Sequence, residues 1–142
     1  MDLGHWQLAE GLQFKQDAFG FIYEICCLPL NKKYIGKKQC VSKIKRKPLK
    51  GKTRNRIEQK QSDWKTYTGS SKDLNEDIEK YGKDSFTFTI LDWGGSKWEL
   101  GYKEIKQQIE QDVILSESFY NGILNVRIGK PPKTFNNDKN VS

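Results

Sequence analysis

Two tyrosines, Tyr23 in Gly20-Phe21-Ile22-Tyr23 and Tyr34 in Tyr34-Ile35-Gly36, stand on either side of a short turn and lead into a run of lysines and arginines. Phenol hydroxyls on paired strands beside concentrated positive charge can activate or orient a nucleophile where a phosphodiester backbone is drawn in. A lone tyrosine in a strand more often packs than reacts. Two such triplets in this order, with the charge behind them, favour chemistry. The chain has one histidine, His5, and no Cys-x-x-Cys pair. A tetrahedral zinc site therefore has too few soft ligands, and any metal is expected on oxygen.

The charge is localised. Residues 32–65 hold fourteen Lys or Arg against Glu58 and Asp63, while the remainder of the chain carries more acid than base. Localised charge implies an anionic partner. A solvated basic loop is the ordinary reading of such a run. This one falls between structural elements, where Lys43, Lys45, Arg46, Lys47, Lys50 and Lys52 can collect phosphates along a duplex or a single strand. Contacts of that kind give affinity without sequence choice.

The elements that must hold these residues follow from periodicity. Phe19 to Leu28 is dense in β-branched and aromatic residues and is closed by Pro29, which reads as a strand. Lys33 to Lys38 makes a second, and the Leu28-Pro29-Leu30-Asn31 connection is short enough to force an antiparallel hairpin. A turn centred between Leu28 and Pro29 sets Tyr23 opposite Tyr34, and a later centre sets them diagonal. Between Thr53 and Lys65 the spacing of Ile57 with Trp64, and of Arg56 with Lys60, predicts a helix with one packed and one cationic face. A second helix runs from Ser70-Ser71 through Leu74, Ile78 and Tyr81 to a stop at Gly82. Phe86 to Leu91 reads as a third strand, ended by Gly94-Gly95. Ser96 and Glu99 form a capping box, and Trp98, Tyr102, Ile105, Ile109 and Val113 recur as the buried stripe of a last helix with Glu104 beside it. Glu99 is accounted for as a cap, and Glu110 and Glu117 as solvated. Phe119 to Ile128 is apolar and reads as a short strand or a packed extended segment.

A chain of 142 residues suits one compact domain. The expected organisation is an N-terminal extension at 1–19, a domain at 20–130 with a basic insertion at 39–55, and a disordered tail at 131–142. The fold class is α/β (α+β), a three-stranded antiparallel sheet flanked by helices. No apolar run approaches bilayer length and the N-terminus lacks the pattern of a leader, so the protein reads as soluble and cytoplasmic. Three cysteines are an odd number, and Cys26 and Cys27 are neighbours facing opposite ways in a strand, so structural disulfides are not expected.

The order Phe-Ile-Tyr, turn, Tyr-Ile-Gly, helices, strand and a helix with an inward glutamate resembles the GIY-YIG nucleases over about residues 20–128. Tyr34-Ile35-Gly36 matches outright. Phe21 stands where the family has its glycine, one residue after Gly20. Gly69-Ser70-Ser71 through Lys83 and Phe86 to Leu91 also resemble the corresponding family segments. The resemblance implies hydrolysis of DNA phosphodiesters by water attack, with a 5′-phosphate product. It implies that Tyr23 deprotonates or orients the water with help from Tyr34, and that Glu104 holds one Mg2+ or Mn2+ per site. It implies an arginine on the first helix, for which counting back from Gly69 selects Arg56, with Lys60 one turn later where many members have histidine. The family's late asparagine falls on Asn121 or Asn125; the apolar context favours Asn125. DNA contacts then extend to Lys37, Lys38, Arg54, Lys65 and Tyr67. Small phage-borne or restriction-type members are the nearest in design, and a double-strand break would take a homodimer, a second binding event or a second nick. The competing reading is a catalytically inactive nucleic-acid-binding module that uses residues 32–65, with Trp64 or Tyr67 stacking on bases.

Overall fold

The computed structural model describes residues 2–124 and 128–133, and for residues 43–46, 57 and 59 the backbone alone. Its frame is a four-stranded sheet in the order β1 (Gln7–Leu8), β6 (Phe86–Gly94), β2 (Gly20–Cys27), β3 (Lys32–Gln39). β2 pairs antiparallel with β6 on one side and β3 on the other, and β1 adds a parallel edge to β6. The three antiparallel strands expected from sequence are thus the body of the sheet. Every residue of β2 except Glu24 is buried, because a central strand has neighbours on both edges and layers on both faces.

Alternate side chains of β2 feed two cores. Phe21, Tyr23, Ile25 and Cys27 pack with Trp6, Trp64, Leu74, Phe88 and Trp93, while Ile22 packs on the other face with Ile35, Leu100 and Val113. Of the segment 1–19, read from sequence as an extension, Trp6 and Ala18 belong to the first core with Leu3, Leu8 and Leu12 packed against it, and Phe19 packs against the second. Trp6 is buried and its indole N–H donates to the Trp64 carbonyl. Cys26, Cys27 and Cys40 are free thiols. Among the described residues no helix is long and apolar enough to cross a membrane.

The helices α1 (Lys72–Tyr81) and α2 (Lys97–Glu110) start as their sequences dictate. Ser71 Oγ accepts from the Leu74 N–H and Ser96 Oγ from the Glu99 N–H, each satisfying a donor that the first turn leaves unpaired. α1 lies on the Tyr23 face through Leu74, and α2 on the Ile22 face through Leu100.

Two expectations fail. The helix read over 53–65 is instead strand β5 (Arg56–Gln61), paired antiparallel with β4 (Val41–Arg46), and only Trp64–Thr66 forms a turn of 3-10 helix. Ile57 and Trp64 gave that segment too narrow an apolar stripe to hold a helix by packing, and a ladder to β4 satisfies the backbone instead. The first part of the basic insertion is therefore regular structure. On α2 the buried stripe is misread in part, since Tyr102 and Ile109 are 40 % and 54 % exposed while Val113, beyond the helix end, is buried. The face turned inward is Leu100, Glu104 and Gln108, spaced by four. Phe119 makes a single parallel bridge to Lys33 and no strand. Asn125 and the tail from residue 134 lie outside the described residues.

Candidate active site

The hairpin register places Tyr23 opposite Gly36 and Tyr34 opposite Ile25. The tyrosines are therefore diagonal on one face, with ring centroids 6.1 Å apart. Gly36 is required by this pairing, because a Cβ there would lie 2.5 Å from Tyr23 Oη. The missing side chain leaves a gap in edge strand β3 through which the Tyr23 hydroxyl reaches the rim of the sheet. The β2–β6 ladder slips between Ile22 and Tyr23, and a bulge at that point re-aims the strand.

The loop before α1 supplies the next group. Gly69 has φ +84°, a conformation that glycine adopts without strain. Asn75 fastens the loop from within the helix, its amide donating to the carbonyls of Gly69 and Ser71 and accepting from Thr68 Oγ1. Ser70 Oγ is thereby held 3.3 Å from Tyr34 Oη.

From the other face α2 brings Glu104 to the same place. Leu100 anchors the helix in the second core, so one turn later the Glu104 carboxylate points at β3, where Lys37 Nζ lies 3.9 Å from Oε1. One turn further the buried Gln108 donates to the Ile35 carbonyl at 3.1 Å. The chain after α2 closes the rim. Asn121 Oδ1 accepts from the Ile35 N–H at 3.1 Å and Nδ2 donates to the Ile35 carbonyl at 2.8 Å. The result is a cleft of about 620 Å³ bounded by Tyr23, Tyr34, Lys37, Ser70, Glu104 and Asn121. Lys37 is the one cation lining it among the described residues.

Electrostatics in the cleft run against a phenolate. Burial first, then the neighbouring Tyr34, Tyr67 and Glu104, push the Tyr23 hydroxyl well above its ordinary range, and burial likewise raises Tyr34. The shift runs upward although the sequence nearby is basic, and Lys37 and Lys38 each have another partner. Lys38 lies 2.8 Å from Asp63 and 4.1 Å over the Tyr67 ring, and Lys37 faces Glu104. Burial also raises Glu104, opposed by the charge and backbone N–H of Lys37. Among the described residues no cluster of three acidic, histidine or cysteine side chains could hold a metal alone. A single carboxylate on a cleft with room for water and phosphate oxygens nonetheless suits Mg2+, which keeps several waters.

Tyr23, Tyr34 and Glu104 thus converge. Arg56 and Lys60 do not line the cleft. Arg56 sits at the outer end of the β4–β5 ribbon, opposite Arg46, with Nε donating to the Lys47 carbonyl and the guanidinium 3.8 Å from Glu58. The count back from Gly69 that selected Arg56 assumed a helix where there is a strand. Tyr67, expected to contact DNA, is half-buried with its ring edge-on to Tyr23, and Trp64 is buried, so neither is a free stacking platform. Lys65 is tied to Asp2 at 3.1 Å. Lys43, Lys45 and Arg46 lie on β4, and Lys47, Lys50, Lys52 and Arg54 on the exposed connection to β5. Ser70, Gln108 and Gly36 were not singled out for roles, although the Leu100, Glu104, Gln108 spacing of four was there to be read.

The family model for the GIY-YIG domain of endonuclease segE matches residues 6–124, more than four-fifths of the chain. The chain belongs to the GIY-YIG nuclease superfamily and matches the model of its segE branch. Comparison with curated proteins and with solved structures gives no match.

Proposed function

We propose that this protein is a divalent-metal-dependent DNA endonuclease that cleaves phosphodiester bonds by water attack and leaves 5′-phosphate ends. The observation that carries the reading is the meeting, on one cleft at a sheet edge, of two phenols, a largely buried carboxylate and one lysine, contributed by β2, β3 and α2.

Tyr23 and Tyr34 act in protonated form. Their O–H groups orient the attacking water and the phosphate oxygens, and the water's proton leaves to solvent or to a phosphate oxygen, not to a buried phenol. Lys37 faces the phosphorus centre and stabilises the charge that grows on its oxygens as the P–O3′ bond breaks, the task first given to Arg56. Glu104 would hold Mg2+ or Mn2+, which supplies charge neutralisation at the leaving oxygen. Gln108 and Asn121 fix β3, and hence Lys37 and Gly36, against the cleft.

Supercoiled plasmid incubated with the protein and magnesium, beside EDTA controls and the Glu104→Ala and Tyr23→Phe variants, tests this directly. Metal-dependent nicked or linear product, lost in both variants, is expected. Unchanged plasmid across divalent ions, with salt-sensitive binding retained, would instead favour a binding module without chemistry.

A further inference from the structure

No described side chain of the β4–β5 ribbon belongs to either core. It is a separate two-stranded sheet of six pairs, from Val41↔Gln61 at its base to Arg46↔Arg56 at its outer end. Every described side chain from Lys47 to Gln61 is exposed. An isolated two-stranded hairpin is marginal in water, so a separate ribbon of this kind points to a partner that completes it. Residues 41–61 carry nine Lys or Arg against Glu58, which fixes that partner as a polyanion.

Its base is built in. The Cys40 N–H donates to the Phe19 carbonyl at 2.7 Å, the Ser62 N–H to the Cys40 carbonyl at 2.9 Å, and Lys38 pairs with Asp63. The ribbon therefore leaves the sheet in a set direction, as a continuation of the strand that carries Lys37 into the cleft.

We propose that the ribbon enters the major groove of duplex DNA on one side of the bond to be cut. The inference deepens the nuclease reading and rests on it for the identity of the polyanion. Six residues of strand reach about 20 Å, and the B-form major groove, about 12 Å wide, admits a two-stranded ribbon. A segment made to track phosphates alone would need cations only; β5 also carries Gln59 and Gln61 between and beside Arg56 and Lys60, residue types that pair with base edges. Nine residues separate Lys37 from Arg46, at most about 30 Å of extended chain. Bases read by the ribbon then lie within about one helical turn of the cut, to one side.

Binding is measured in EDTA, so that nothing is cut, on a 30-bp duplex and on its separated strand, with methyl green as a major-groove probe and netropsin as a minor-groove probe. The duplex is expected to bind about tenfold or more tightly than the strand, to release methyl green, and to bind equally well with netropsin present. Two variants accompany it: Arg56→Ala with Lys60→Ala, and replacement of residues 47–55 by Asn-Gly, which keeps the Arg46↔Arg56 pair and removes four cations. Both should lower duplex affinity and shrink the preference for duplex. Equal or tighter binding to the single strand overturns the proposal, as does loss of netropsin with methyl green retained, or full duplex preference in both variants. Plasmid nicking run in parallel separates the two failures. Nicking without duplex preference sinks the ribbon alone, and groove binding without nicking sinks the nuclease reading alone.

Discussion

At the scale of single residues, the structure separates a cation at the cleft from the cations of the ribbon. Lys37 lies in the cleft and Arg56 at the outer end of the ribbon. Lys37→Ala is expected to lower kcat by about 10²- to 10³-fold, as loss of one group aimed at developing charge does, with partial rescue by Lys37→Arg. Arg56→Ala should chiefly raise KM. Steady-state cleavage of a labelled duplex separates the two, and a kcat loss confined to Arg56→Ala would return the role to arginine. Glu104 makes the second prediction. Its folded pKa is raised by burial, so the folded state binds its proton more tightly than the unfolded chain. This carboxylate therefore costs stability above both pKa values, and that cost fades as pH falls through the window between them. Glu104→Gln should abolish cleavage yet raise Tm at pH 7, with the gain shrinking at pH 4 in thermal melts. Gly36 was legible as a motif letter from the start, but its reason was not. That reason is a contact with Tyr23 Oη across the hairpin, which no one-dimensional pattern contains.

At the scale of elements, what the sequence disclosed was what local chemistry decides. The two serine caps, the Gly82 stop, the central strand and the hairpin are all local, and all stand. The ribbon was missed because β pairing is a bargain between distant segments: Arg56–Gln61 has no strong strand pattern until Val41–Arg46 lies beside it. The face of α2 was missed for the opposite reason. Its inward positions include Glu104 and Gln108, polar residues that face the cleft and the Ile35 carbonyl, so a search for apolar spacing chose a stripe in which Tyr102 and Ile109 face outward. Leu100 is the apolar anchor of the true face. It is 1 % exposed, and a Cβ on either Gly20 or Gly94 would come within 2.5 Å of its side chain. Leu100→Ala is expected to cost about 2–5 kcal/mol and to lower cleavage further than stability alone requires, since α2 carries Glu104. Urea unfolding and cleavage under fully folded conditions distinguish the two losses.

At the scale of the whole molecule, the N-terminal segment is part of the fold that makes the site. His5 stacks on Phe88 with centroids 4.0 Å apart and its Nε2 lies 2.9 Å from the Tyr67 carbonyl. Because a carbonyl only accepts, Nε2 carries the proton, and the buried Nδ1 has no hydrogen-bond partner among the described residues. Burial, with the charge of Lys83, holds the ring near pKa 4 against an ordinary 6.5. The unfolded chain takes up a proton that the folded ring refuses, so this contribution is fully present above the unfolded value and is lost as pH falls from about 6.5 toward 4. Thermal melts at pH 5 and 7.5 should show a smaller drop for His5→Gln than for the parent chain.

The pairing of Asn121 with Ile35 also bears on how the protein survives at high concentration. β3 is an edge strand, and an open edge recruits strands from other molecules. Asn121 occupies both outward hydrogen-bonding groups of Ile35, while the Ser118 carbonyl takes the Lys33 N–H and the Tyr120 N–H takes the Lys33 carbonyl. The chain thus lays a short false strand along its own edge, ending in a side-chain amide that imitates a peptide group. Asn121→Ala would uncover that edge, and light scattering on warming should then register self-association before any loss of secondary structure.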